Sequence, residues 1–459
     1  MKAWEMEHAL MAESRPHPRE EDEQTWSLID QLERQEDASI TMLWYNEVPG
    51  SGAPERLMVA GVQALENRGM KVARWEELLD EGFTAHEAGD MPTLHRVTSD
   101  LWHAFRTASR DQSSEYWSYR QIETWSECEA AARFPETVTY GESADAFRKR
   151  LHAGWQAQIA GGALGTAIEG YTADALRSTL GDIRGYLVTP NTFNDDITFE
   201  LAFLKAAEEK GASVTGSDIA EKWVSFIPFA WSAELVALRN IRIGFRPPES
   251  GSFNNPFSEW IGAQMRGAVC GMVAPGNARE AARLAWLDGE ISHTGNGILG
   301  EVFNAILVSR AFVDSDIRAI VETAVAAMPP DSEYASVVSF ALEECRRDED
   351  WRAAWKACEQ RYRRYNWVHA YPNACAEVIA LWYGNGSFDE TMHIVAMEGQ
   401  DVDCNAAQIA TVLGVAGGPD AVPSAWTEPI GDTLQTYVRT MKQLSIRELA
   451  DWTARVAGR

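Results

Sequence analysis

The chain has 459 residues and a formal net charge of −27, with 41 Lys and Arg against 68 Asp and Glu. An apolar fraction of 45% and a charged fraction of 24% are those of an ordinary globular protein, which excludes a disordered or fibrous chain. Such an excess of negative charge repels phosphate backbones and anionic bilayers, so neither a nucleic-acid nor a membrane partner is expected. An anionic substrate would need a local pocket where backbone N–H groups, Arg side chains or metal ions reverse the sign. No run approaches the roughly 18 apolar residues of a membrane span. The first 24 residues turn acidic at once and have no apolar stretch, so no secretory signal is expected. Six cysteines without a CxxC pair read as reduced thiols of a cytoplasmic protein. Eighteen tryptophans suit core packing, with sugar or base stacking as the sharper alternative.

Residues 1–140 are charge-rich and interrupted. The turn-forming run Pro49 to Pro54 breaks them, and an apolar stripe of Leu57, Met58, Val62 and Leu65 predicts a helix ending near Gly69. From about 145 the apolar spacing is three and four throughout, with helices predicted over 281–287, 302–312, 317–328 and 374–383. Period-two runs are nearly absent. The expected architecture is therefore all-α: a large helical bundle over 141–459 with an N-terminal helical extension over 1–140.

Three acidic constellations stand at predicted helix boundaries. In the first, the small residues Gly161, Gly162 and Gly165 permit close helix packing, and Glu169 interrupts an apolar surface. Alone, Glu169 reads as a solvated or capped residue, since burying it unpaired is costly. In the second, Asn194, Asp195 and Asp196 open a helix, which ordinary capping explains. In the third, Asp401, Asp403 and Asn405 imitate a calcium loop, but Ala406 and Val412 stand where that loop needs Gly and Glu. A GxGxxG spacing at Gly295–Gly300 lacks the preceding strand of a dinucleotide site. Four aspartates in two clusters, with Glu169 as a fifth acid, suit hard cations such as Mg²⁺ or Mn²⁺, provided that folding brings them together.

Taken in order, these motifs resemble the ADP-ribosylglycohydrolase family, which includes the hydrolase that reactivates dinitrogenase reductase. The residues that carry the resemblance are Gly161–Glu169, Asn194–Thr198 and Gly399–Ala407, supported by Ile291–Gly297, Trp367–Asn373 and Val422–Pro429. The resemblance covers roughly 150–440. It implies an orthogonal bundle of that family's type, with two Mg²⁺ or Mn²⁺ ions in a central cleft. Asp195, Asp196, Asp401 and Asp403 would be ligands, with Asn194 and Cys404 where the family often has Thr ligands. A thiol is a poor partner for a hard cation. Glu169, Asp195 and Asp403 would be catalytic, and His293, Asn296, His369 and Asn373 would line the substrate pocket.

The implied activity is a glycosidase that hydrolyses the bond at C1 of ribose in ADP-ribosylated proteins or small molecules. Glu169 would orient or deprotonate the water, or protonate the leaving group, while carboxylates stabilise an oxocarbenium-like ring. Another riboside, furanoside or nucleoside-like compound is the alternative substrate. A non-catalytic relative, as some lens crystallins resemble this family, is the alternative from another class.

Overall fold

The structure is a computed structural model, which describes residues 1–72 and 75–458. Among them, helices dominate and strand structure is confined to three two-stranded ribbons. The architecture is all-α, and the predicted helices lie within Leu57–Asn67, Ala278–Gly289, Gly295–Ala311, Ile317–Ala327 and Ala370–Gly384, to within a residue or two at their ends. The GxGxxG run forms the first turns of the Gly295–Ala311 helix, after a turn and not a strand. No described helix is long and apolar enough to cross a membrane.

Two apolar cores organise the molecule. The larger gathers residues from Ile122 to Ala454, including the fully buried Trp155, Trp223 and Trp286. At its centre the Ala144–Gly165 and Val402–Gly417 helices pack along their small-residue faces. The smaller core belongs to the N-terminal helices, with Trp44, Leu57, Met58, Leu94, Val97 and Leu101 buried. It is completed by Ala233, Val236, Phe257 and Trp260 from later in the chain, so the extension closes its own core against the main bundle.

The turn-forming run at 49–54 becomes a hairpin loop. Asn46–Glu47 and Pro54–Glu55 pair antiparallel, and the Val48 and Ala53 backbones close the loop at 2.9 Å. Its tip lies on the end of the Ala144–Gly165 helix, where Tyr171 Oη donates to the Ser51 carbonyl at 3.1 Å. This contact carries the extension to the edge of the acidic clusters.

Candidate metal centre and cavity

Three local structures bring the acids together. The Ala144–Gly165 helix ends at Gly165, against the start of the Val402–Gly417 helix. A Cβ on Gly165 would lie 2.1 Å from the Asp403 nitrogen and 2.2 Å from its Cα, so only glycine allows this approach. A tight turn follows, with the Glu169 N–H donating to the Gly165 carbonyl at 3.0 Å. The chain then pairs with the segment before Asp401: Tyr171 faces Gln400 and Thr172 faces Gly399. That ribbon sets Glu169 beside Asp401. Gln400 adopts φ 67°, a left-handed conformation costly for a side-chain-bearing residue and typical of sites where packing over-determines the backbone.

The third structure is the start of the Asp195–Lys210 helix. Asn194 caps it, its Oδ1 accepting from the Ile197 N–H at 3.4 Å, while its Nδ2 donates to Asp403 Oδ2 at 3.4 Å. Capping is thus part of the story, and the same side chain ties the second acidic cluster to the third. Donor atoms of Asp195, Asp196 and Cys404 all lie within 4.8 Å of one another, as do those of Asp401, Asp403 and Cys404. The two aspartate pairs therefore meet around Cys404.

This grouping is electrostatically incomplete. Burial raises the carboxyls of Glu169, Asp196 and Asp401 well above their usual range, and neighbouring carboxylates add to it. Asp195 is pushed up to about 7 by the same two causes in the same order. Both oxygens of the fully buried Asp196 and one of Asp401 have no hydrogen-bond partner. Unpartnered buried carboxylate oxygens are expensive, and a hard divalent cation is the partner their chemistry fits. Cys404 fits less well. Burial and the adjacent aspartates push its thiol up, so it keeps its proton, and Sγ points at Met265 Sδ 3.7 Å away.

The acids open into a cavity of ≈ 490 Å³ lined by Glu169, Asn194, Asp195, Asp401, Asp403 and Cys404 on one side. Two further carboxylates, which the sequence reading missed, also line it. Glu234 belongs to the Ser232–Arg242 helix and is held by the buried Arg266, with Nη1 at 3.2 Å from Oε1. A Cβ at Gly262 would come within 1.8 Å of that oxygen, so this glycine makes room for the carboxylate. Burial lifts Glu234 to about 6, and Arg266 opposes the rise. Glu55 comes from the N-terminal hairpin and accepts from the Trp231 indole N–H. Glu234 carries a local signal, an acid on the apolar stripe with Ala237, Leu238 and Ile241, whereas Glu55 only follows a turn-forming run.

The four residues expected to line the substrate pocket do not line this cavity. His293 is fully buried behind Glu234, its Nε2 3.9 Å from Oε1, and its Nδ1 lies 2.8 Å from Ser292 Oγ. Burial, then the Arg266 charge, hold the His293 imidazole neutral. Asn296 donates to Glu259 Oε1 at 3.0 Å and accepts from the Tyr334 N–H at 3.1 Å. His369 caps the Ala370–Gly384 helix through Nδ1, which accepts from the Tyr371 N–H at 3.2 Å. Asn373 stands behind the metal centre: its Oδ1 accepts from the Asp401 N–H at 3.1 Å and from Asn405 Nδ2 at 2.7 Å. Within these motifs His369 and Asn373 hold backbone groups, Asn296 also bonds the Glu259 carboxylate, and His293 Nε2 has no hydrogen-bond partner.

A family model described as ADP-ribosylglycohydrolase matches residues 143–458. An uncharacterized protein of Archaeoglobus fulgidus is 24% identical over 285 residues, which is 59% of this chain and 88% of that protein. A solved structure described as an ADP-ribosylglycohydrolase-related protein complex superposes with a TM-score of 0.50 at 18% identity, covering 68% of this chain and 98% of that one. This last likeness bears on the fold alone. Residues 1–142 lie outside the family match.

Proposed function

This chain belongs to the ADP-ribosylglycohydrolase family, whose members are glycohydrolases of ADP-ribosyl bonds, and on that premise we propose that it is a divalent-metal-dependent hydrolase cleaving the glycosidic bond at C1 of a ribofuranose. The observation that carries this reading is the meeting of Asp195, Asp196, Asp401 and Asp403 around Cys404, next to a cavity that Glu169, Asp195, Asp401 and Asp403 line, with oxygens of Asp196 and Asp401 left without a partner.

In this reading Asp195, Asp196, Asp401 and Asp403 hold two Mg²⁺ or Mn²⁺ ions, with Asn194 and Cys404 at their edge. Bound there, divalent ions would fix the ribose hydroxyls and make a water a better nucleophile. Asn373 fixes the Asp401 backbone, and the ribbon fixes Glu169 against it. Glu169 stands outside both ligand groups. It is the group we assign to orienting the water and exchanging a proton with it or with the leaving group. Asp195 and Asp403 flank the sugar and stabilise positive charge developing on the ring. Residues 141–459 form the catalytic part in this reading and 1–140 an extension over its cavity. Six unpaired cysteines support a reducing, cytoplasmic setting.

The test is release of free ribose or ADP-ribose from ADP-ribosylated protein, O-acetyl-ADP-ribose and nucleosides in millimolar Mg²⁺ or Mn²⁺. Cleavage of at least one, abolished by chelator and by Asp401→Ala with the helical circular dichroism unchanged, is the expected result. No cleavage of any of them would end the enzymatic reading.

A further inference from the structure

Trp367 and Val368 line the cavity from the turn that joins the Trp351–Tyr362 and Ala370–Gly384 helices. Val368 packs against the smaller apolar core, but Trp367 borders open space on two sides. A second cavity of ≈ 280 Å³, lined by Gln63 and Asn366, shares Glu55 and Trp367 with the larger one. Packing alone therefore does not fix this part of the wall, and hydrogen bonds must.

The outer bonds come from before the family match. Gln63, on the Leu57–Asn67 helix, uses both ends of its amide: Nε2 donates to the Arg364 carbonyl at 2.8 Å, and Oε1 accepts from Asn366 Nδ2 at 3.2 Å. The buried Asn67, one helical turn on, donates to the same carbonyl at 3.4 Å. Asn366 is thereby oriented so that its Oδ1 accepts from the Val368 N–H at 3.0 Å, while its carbonyl accepts from the His369 N–H at 2.9 Å. The inner end of the turn is tied separately. Asn373 Nδ2 donates to the Trp367 carbonyl at 2.7 Å and to the His369 carbonyl at 2.9 Å. The Val368 carbonyl accepts from the N–H of Ile261, another lining residue, at 2.8 Å.

We propose that Gln63 is a positioning residue for the hydrolysis: it pins the 364–368 turn and so sets Trp367 as a wall of the substrate site. The proposal rests on the ribosyl-hydrolase reading above and assigns a part of that site to the N-terminal extension. Gln63 does not line the larger cavity, so its effect passes through Asn366 and Trp367. Its two bonds order the turn before substrate arrives, and a turn already ordered does not have to be ordered at the expense of binding. Their loss falls on KM and not on kcat, because Asn373 still holds the inner end of the turn and the Asp401 backbone.

The full chain and its Gln63→Met variant, which keeps the side-chain length without the amide, are compared in Mg²⁺ or Mn²⁺ on ADP-ribosylated protein, O-acetyl-ADP-ribose and nucleosides. Hydrogen–deuterium exchange of the peptide spanning 364–370 is followed in the same proteins without substrate. The expected result for Gln63→Met is exchange about tenfold faster in that peptide and KM for the cleaved compound about three- to tenfold higher, with kcat and the metal-induced rise in Tm as in the native chain. Gln63→Glu, which keeps the acceptor for Asn366, should fall between the two. On a Trp367→Ala background, where the wall residue is gone, Gln63→Met should raise KM no further. Native exchange or native KM in Gln63→Met would overturn the proposal and leave the hydrolase reading intact, and so would a full further rise in KM on the Trp367→Ala background. No cleavage of any compound by the native chain would overturn the hydrolase reading and with it the part of Gln63 in the reaction, whereas the exchange rates alone decide whether Gln63 pins the turn.

Discussion

Gly165→Ala is the substitution that tests whether helix contact builds the metal centre. The new methyl carbon would lie 2.1 Å from the Asp403 nitrogen, 2.2 Å from its Cα and 2.4 Å from the Val402 carbonyl carbon, where ordinary contact begins near 3.4 Å. Those are backbone atoms in the first turn of the Val402–Gly417 helix, so no side chain can swing aside. The helices must part locally by about 1.3 Å, the difference between 3.4 and 2.1 Å. Overpacking of this kind costs about 1–3 kcal/mol, and up to about 1 kcal/mol returns through the better helix propensity of Ala. The larger effect falls on the cations. Coordination distances hold within about 0.2 Å, so moving Asp401 and Asp403 away from Asp195 and Asp196 by several times that should cost about a hundredfold in affinity. At a metal concentration of 100 Kd the native protein gains about 2.7 kcal/mol on binding, whereas at a hundredfold weaker Kd the gain falls to about 0.4 kcal/mol. Thermal melts with chelator and with Mg²⁺ or Mn²⁺ read both terms. Gly185→Ala, with nothing within 4 Å of the added carbon, is the control and should behave as native. If Gly165→Ala keeps both the metal-free Tm and the metal-induced increment, the account of how this site is assembled is wrong.

Three further outcomes follow from the same geometry. Asp196→Asn removes a buried carboxylate crowded by Asp195 and Asp403 with neither oxygen partnered, so the metal-free protein should melt no lower than native while the metal-induced rise in Tm disappears and turnover drops about a hundredfold or more; a retained metal increment would remove Asp196 from the ligand set. Burial holds Glu55 up to about 7, against about 4.3 in the unfolded chain, so the folded protein carries the extra proton between those values and its stability falls as pH rises through that window, by roughly 4 kcal/mol, before levelling off above it. Glu55→Gln should flatten this part of the slope in denaturant titrations between pH 4.5 and 8, and an unchanged slope would refute the buried-acid account. Cys404→Ser places a hard oxygen where a protonated thiol stands, so Mg²⁺ binding by calorimetry should tighten several-fold while Cd²⁺ binding weakens; no change in either would mean that this position takes no part in coordination.

How much of this was legible in the sequence follows from the range of each interaction. Helices declare themselves over three and four residues, so the all-α class and the 281–287 and 374–383 segments could be read locally. The aspartate pairs were visible as pairs because each stands at a helix start, but their meeting depends on Gly165 and on the ribbon between Tyr171–Thr172 and Gly399–Gln400. Two residues per strand give no periodicity to detect. Motif resemblance supplied what local patterning could not. It also marked His293, Asn296, His369 and Asn373 for the substrate pocket; these four do not line the cavity, and the Asn373 amide serves Asp401 from behind.

Glu234 and Glu55 show the opposite failure. Glu234 shares a helical face with Ala237, Leu238 and Ile241, a local sign of burial that the sequence reading passed over, while Arg266, 32 residues on, lies against it and Gly262 leaves it space. Glu55 owes its place to a hairpin whose loop is held by Tyr171, 120 residues from Ser51. For Glu55, a carboxylate buried by long-range contacts has the same local sequence as one left in water. The acids proposed as cation ligands share a pattern at helix starts, whereas Glu55 and Glu234 have only their tertiary neighbours in common. The Glu55 hairpin is therefore the part of this cavity that sequence comparison within the family match does not reach, since it lies before residue 143.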